Sequence, residues 1–327
     1  DVRTGDPIYH KCRTGDAEDI QWMQASSSMP LAAKIVKIGH YQLLDGGVAD
    51  AIPSAETLRQ RFDMIGDTLR GDILQASIDM LREMKIEPSA LPDGHVPVDA
   101  DVTPFDNSKT KKEGVSRTYK GYDGFAPIMA YIGTEGYLVN TELREGKQHC
   151  QKETPDFLRE TIALSRQLTD KPLLIRLDSG NDASENIGIF MEESFAHDNV
   201  SFIIKRNIRQ ESKEGWLDSV KDCCTNIQHP RDGKTVYTGQ TFRDVTYTLP
   251  DKTKKTVGIR TIYEITERTI DKDGQYLIAP DIEVETYWTN LPSPDQEVID
   301  LYHAHGECEQ YHSEIKTDMD VERLPSG

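Results

Sequence analysis

Two aspartates and one group of residues near the end of the chain have the types and spacing to do chemistry. Asp101 closes the alternating run Val96-Pro-Val-Asp-Ala-Asp, and Asp178 directly follows the short apolar run Leu173-Leu-Ile-Arg-Leu. Each reads as the C-terminal end of a strand, the edge at which open α/β sheets bind ligands. Aspartate also begins turns after strands, because it bonds to its own following backbone, so neither acid alone defines a site. Further on, Tyr302, His305, Glu309 and Lys316 stand at offsets of 0, 3, 7 and 14. At about 100° per residue all four share one helix face, and the neighbouring acids Glu307 and Glu314 fall elsewhere. Geometry therefore selects Glu309 as the acid of that helix. The chemistry open to such carboxylates is acid–base work or the binding of a hard cation.

The elements that must position these residues alternate in type. Residues 1 to about 90 read as mainly helical, with one helix from Pro53 through Phe62 capped by Ser54 and a second from Asp72 to Lys85 that gathers Ile73, Leu74, Ile78 and Leu81. Strands are expected at Val96–Asp101, Phe125–Ile132, Tyr137–Leu143, Leu173–Leu177 and Val200–Ile204. Helices are expected at Pro155–Leu168 and Ala183–Phe195. This alternation means a mixed α/β sheet. Residues 207–287 differ: short β-rich runs such as Val245-Thr-Tyr-Thr-Leu and Val257 to Thr266 are split by Asp-Gly and Pro-Asp turns. They read as a β insertion standing apart from the sheet. Helix returns from about Pro294.

The 327 residues carry 56 Asp and Glu against 38 Lys and Arg, a net charge of −18. That balance argues against a general polyanion binder, because phosphate affinity rests on cations that release counterions. A local site is not excluded. Lys109, Lys111, Lys112, Arg117 and Lys120 crowd a segment whose only acid is Glu113, which by itself reads as a solvated loop. Five cysteines without CxxC spacing suggest a reducing, cytoplasmic setting and not a disulfide framework. No apolar run approaches the roughly 20 residues of a membrane helix. The polar start without Met and the stop at Leu-Pro-Ser-Gly lead us to expect a chain cut at both ends.

Tyr302-x2-His305-x3-Glu309-x6-Lys316 resembles the Y-(2)-R-(3)-E-(6)-K signature of DDE-type insertion-sequence transposases, in particular the subgroup named after insertion sequence thirteen-eighty. Pro53-Ser-Ala-Glu-Thr-Leu-Arg-Gln-Arg-Phe, Val98-Asp-Ala-Asp-Val-Thr, Gly121-Tyr-Asp-Gly-Phe-Ala-Pro, Arg176-Leu-Asp-Ser-Gly and Glu309-Gln-Tyr-His-Ser-Glu-Ile-Lys match in order. The resemblance covers essentially the whole chain, and His305 departs from it where the family usually has Arg.

The resemblance implies an RNase H-like core with Asp101, Asp178 and Glu309 as a metal-binding triad, and Asp99 as the alternative first acid. It implies a helical N-terminal DNA-binding region (1–94), the first part of the core (95–206), a β-rich insertion (207–287) and the end of the core, with a final strand and the helix bearing Glu309 (288–327). It implies two Mg²⁺ ions, with Mn²⁺ as a substitute, for cleavage of DNA ends and strand transfer. The partners implied are terminal inverted repeats and target DNA, held by a homodimer at the bacterial nucleoid. Tyr302, His305, Lys316 and the basic run Lys109–Lys120 then face phosphate, and Arg59 and Arg61 are candidates for holding element ends. Trp216 and Trp288 fit core packing better than base stacking. Rival readings are a nuclease without strand transfer, a non-catalytic DNA-binding relic, a zinc site at His305, Cys308 and His312, and a glycosidase acid pair that gives the basic residues no role.

Overall fold

The computed structural model describes residues 36–38, 41–43, 55–197, 199–318 and 321, with backbone alone described at 36–38, 41–43, 55–68, 307–309, 317 and 318. The chain forms two compact units, Asp1–Arg70 (with Gly327) and Gly71–Ser326. In the first, Val36–Ile38 (β1) and Tyr41–Leu43 (β2) pair antiparallel, strands within the stretch expected to be mainly helical. Ala55–Glu83 (α1) is one helix where the sequence suggested two. The residues between, Asp63 to Gly71, hold no proline, and a glycine costs only about 1 kcal/mol in a helix interior. Leu74, Ile78 and Leu81 of α1 are buried as expected, but Ile73 is exposed.

In the second unit Val96–Val102 (β3) leads to a small sheet of Phe105–Asp106 (β4), Ser116–Arg117 (β5) and Asp123–Phe125 (β6), which carries the basic run. Ile128–Ile132 (β7) and Tyr137–Glu142 (β8) return beside β3. Thr154–Arg166 (α2), Leu173–Leu177 (β9), Ser184–His197 (α3) and Val200–Arg206 (β10) follow. Strands β8-β7-β3-β9-β10 lie side by side, with β9 parallel to β3 and to β10 and with β7 antiparallel to β3. This mixed sheet has the form expected of an RNase H-like core.

Alternation along the strands sorts side chains between two faces. Val96, Val98 and Ala100 of β3 and Leu173, Ile175 and Leu177 of β9 pack into one core with α2, α3 and the part of α1 that belongs to this unit, Leu74, Ile78 and Leu81. Leu174 joins a second core on the opposite face, built with Val298, Ile299 and Leu301. Asp99, Asp101 and Arg176 occupy positions of that second face.

After Lys213–Val220 (α4), the β-rich segment forms Asn226–Arg231 (β11), Lys234–Thr248 (β12), Lys254–Ile270 (β13) and Tyr276–Thr289 (β14). It does not stand apart from the sheet. β14 pairs antiparallel with β10 from Ile203↔Thr289 to Arg206↔Thr286, so one nine-stranded sheet runs through both parts. An open edge on β10 would expose unpaired backbone, and β14 closes it. Asp295–His303 (α5) and Glu307–Ser313 (α6) then cover the second face. No helix among the described residues is long and apolar enough to cross a membrane.

Helix α3 reaches across to β12 at Gly188, where a Cβ would lie 2.5 Å from the ring of buried Tyr247. Gly188→Ala must push the two apart and is expected to destabilise the protein by about 1–3 kcal/mol. Urea unfolding followed by tryptophan fluorescence checks this; an unchanged midpoint would mean that α3 and β12 are not in register here.

Candidate active site

The site is assembled where β3 and β9 end. Their parallel register runs from Val96↔Leu173 to Ala100↔Leu177. One step further sets Asp101 beside Asp178 on strands about 4.8 Å apart. Asp178 has extended backbone and precedes a short 3₁₀ turn, Ser179–Asn181. Buried Asn181 donates from Nδ2 to Asp178 Oδ1 at 2.8 Å and is itself held by Asn186 Nδ2 on its carbonyl. Asp101 Oδ1 accepts from the Val102 amide at 2.7 Å.

Two phenols report that the carboxylates share one side of the sheet. Burial raises the Tyr119 pKa, and the charges of Asp101 and Asp178 push it further, to about 12. Tyr302 is also raised, first by burial and then by Asp178, Glu285 and Asp101. Sequence reasoning missed Tyr119. The available signal was an aromatic lodged inside the basic run, Arg117-Thr-Tyr-Lys120.

Beneath the pair lies a buried ion pair. Arg176 Nε and Nη2 donate to the two oxygens of Asp99 at 2.6 and 2.7 Å, and Nη1 donates to the Leu301 carbonyl at 2.8 Å. His305 Nδ1 lies 3.0 Å from Asp99 Oδ1. Burial works to raise the Asp99 pKa, but His305 and Arg176 outweigh it and hold the carboxyl below its usual range. Asp99 is thus committed to a structural brace, while Asp101 stands at the strand end. The structure places His305 on that brace, only 13% exposed. Tyr302 packs on Tyr287 and His305 with ring centroids 4.8 and 5.8 Å away. Lys316 donates to the Pro104 carbonyl at 2.8 Å.

The single straight helix expected for Tyr302 to Lys316 is replaced by α5, a 3₁₀ turn at Ala304–Gly306, α6, and a π turn at Glu314–Asp318. Gly306, with little helix propensity and nothing packed where a Cβ would be, lets the helix tighten there. A 3₁₀ turn advances about 120° per residue, which rotates position 309 by about 60° relative to Tyr302. What then locates position 309 is α6 itself. α6 packs against β3, and its His312 is buried with Nδ1 3.9 Å from Asp101 Oδ2. Position 309 lies one turn before His312, on the same helix face; the Glu309 side chain falls outside the described residues. Burial, then the positive charges of Lys316, His305 and Lys120, lower the His312 pKa to about 4, so the ring is neutral at pH 7.

Of the basic run, Lys120 acts at the same edge. Lys109, Lys111 and Lys112 lie between β4 and β5, Arg117 pairs with Asp123 at 3.3 Å, and the charge of Lys120 reaches His312. The side chains of Arg59 and Arg61 on α1 lie outside the described residues. Both tryptophans are buried: Trp288 donates to Asp182 Oδ1 and Trp216 to Glu211 Oε2, each at 2.8 Å. His305 and His312 approach different aspartates, and Cys308 is among the side chains not described. Among the described residues no three His, Cys, Asp or Glu side chains gather closely enough to hold a metal.

Asp99→Asn leaves Arg176 buried without its counter-charge and is expected to cost about 3–5 kcal/mol at pH 7. A carboxylate with a lowered pKa contributes stability above its unfolded value, about 3.9, and loses it as pH falls through the folded value. The gap between wild type and variant must therefore narrow only in acid, below about pH 4. Urea titrations across pH check this, and a constant gap would sink the assignment.

Residues 75–327, most of the chain, match the family model described as Transposase DDE domain group 1. No curated protein matches. Among solved structures, the cryo-EM structure of a piggyBac transposase synaptic complex with hairpin DNA is 12% identical, with a TM-score of 0.31, over 68% of this chain and 41% of that one. The chain thus spans about two fifths of that protein's length. On the family match, this chain belongs to the Transposase DDE domain group 1 family.

Proposed function

We propose that the protein is a cut-and-paste transposase of the insertion sequence thirteen-eighty subgroup, with Asp101, Asp178 and Glu309 as its acids. The observation that supports the reading is the register that sets Asp101 beside Asp178; His312 of α6 lies 3.9 Å from Asp101, and position 309 precedes it by one turn of that helix. Its substrates are the inverted repeats at the element's two ends and a target DNA, and two copies of the chain hold the two ends.

The donor set fits hard divalent cations. Two carboxylates stand at one sheet edge, and neutral His312 adds no competing positive charge there. Asp101, Asp178 and Glu309 would hold Mg²⁺ or Mn²⁺, which when bound supply the charge that activates a water or 3′-hydroxyl and stabilises the leaving oxygen. The remaining work belongs to the chain. Asn181 orients Asp178. Lys109, Lys111, Lys112, Lys120 and Lys316 supply cations to the DNA backbone, where phosphate contacts set position without reading sequence. Tyr302 and His305 brace the floor of the site from beneath.

With DNA carrying the repeats that flank the gene, the wild type is expected to nick at the element ends in Mg²⁺, and Asp178→Ala to lose more than about a hundredfold of that activity while still retarding the DNA in a gel. Pre-cleaved ends joined to a second DNA separate a transposase from a nuclease. Nicking by Asp178→Ala at the wild-type rate would refute the acid assignment. Asn181→Ala removes only the orienting bond and should raise the Mg²⁺ concentration needed for half-maximal nicking by about 10–100-fold; an unchanged Mg²⁺ titration would show that Asn181 does not tune Asp178.

A further inference from the structure

Tyr119 has no part in any core. The residue is 71% exposed, with its hydroxyl end partly buried against Val102, and its position is fixed. The Gly121 amide donates to the Thr118 carbonyl at 3.0 Å, which closes a tight turn with Tyr119 and Lys120 as its two central residues. Gly121 supports the turn with φ +85°, a conformation that costs glycine little. Thr118 is buried, and both its amide and its hydroxyl donate to the Tyr122 carbonyl at 2.8 Å. Tyr122 in turn donates from its hydroxyl to the Pro104 carbonyl at 3.1 Å. The turn is therefore closed on itself and tied through Tyr122 to the residues that follow Asp101.

The direction of the ring is equally defined. The Tyr119 hydroxyl lies 3.5 Å from the Val102 carbonyl, one residue beyond Asp101, and both Asp101 and Asp178 act on it electrostatically. An aromatic surface is thus presented to solvent at the edge of the carboxylate pair, next to a lysine. Exposed aromatic faces stack on nucleobases of any sequence, while a neighbouring cation takes the phosphate. A tyrosine kept in place only to fill space would be buried; this one is held by its backbone turn, with its hydroxyl toward the Val102 carbonyl and much of the residue open to solvent.

We infer that Tyr119 is a positioning residue whose ring stacks on a nucleobase next to the scissile phosphate, with Lys120 on the adjoining backbone. This rests on the transposase reading above and adds to it a contact with the base, where the basic run alone would grip only phosphate. Stacking holds the strand so that the phosphodiester lies over Asp101 and Asp178, and it favours ends whose terminal base pairs open easily.

The test uses duplexes of the flanking repeats with 2-aminopurine placed in turn at each base beside the cleavage point. Wild type and Tyr119→Phe should quench one position, because both keep the ring. Tyr119→Leu should lose that quenching and nick about ten- to a hundredfold more slowly, with an unchanged thermal melt. A substrate whose terminal bases are already unpaired should narrow the gap. Tyr119→Leu nicking like wild type, or wild type nicking with no position quenched, would overturn the inference. So would Tyr119→Phe as impaired as Tyr119→Leu, since the role would then lie in the hydroxyl on Val102. Failure of the transposase reading itself would show differently: folded wild type would neither nick nor retard the repeats, before any Tyr119 variant is compared.

Discussion

The buried pair of Asp99 and Arg176 is the constraint on which the rest of the site depends. Two charges taken out of water are tolerated only when their geometry and remaining hydrogen bonds are nearly complete. Here the guanidinium forks onto both carboxylate oxygens and spends a third donor on the Leu301 carbonyl, while His305 closes on the outer side of Asp99. β3, β9, α5 and the 3₁₀ turn that follows it are joined through one hydrophilic node beside the apolar core of that face. Because Arg176 stands two residues before Asp178 and Asp99 two before Asp101, the node also fixes the height of both site carboxylates on their strands. A slip of one residue in either strand would turn its side chains to the other face, leaving one charge in the core with Val98 or Ile175 and the other buried without its partner.

The same placement reconciles an acidic protein with the anionic partner proposed for it. A net charge of −18 repels DNA at long range, but at physiological salt charges are screened beyond about 8 Å. What a phosphate meets on arrival is therefore the local set. The small β4-β6-β5 sheet, which carries the basic run, follows directly on the strand that bears Asp101, and the charge of Lys120 acts on His312. The carboxylates that would repel a phosphate are those proposed to hold cations.

Much of this was legible in the sequence, for identifiable reasons. The strand ends at Asp101 and Asp178 could be read because short apolar runs bounded by turn residues are a local signal. The mixed sheet followed from the alternation of elements. Less legible were the features set by tertiary packing. Asp99 and Asp101 have the same type and face, and only the partnership with Arg176, 77 residues away, tells them apart. The wheel that grouped Tyr302 with Glu309 assumed one uniform pitch, which the 3₁₀ turn at Gly306 does not keep. Tyr119 looked like part of a solvated loop because nothing in its neighbours announces the long-range ties through Tyr122 and Pro104.

The β-rich segment shows the largest difference between local signal and final packing. Its turns and short runs suggested an appendage, yet its return strand is hydrogen-bonded to β10 and its Trp288 reaches into the loop that follows Asp178. Trp288 donates to Asp182 Oδ1 at 2.8 Å, while the Asn207 amide donates to Oδ2 at 3.0 Å. Asp182 is buried, and Arg206 lies over the Trp288 ring 5.3 Å from its centroid. The loop Asp178–Asp182 is thus pinned at one end by the sheet and at the other by residues at the two borders of the β-rich segment. That arrangement makes the segment a support of the second carboxylate: a disturbance of β14 must pass through Trp288 and Asp182 to Asn181, and from Asn181 directly to the oxygen it orients.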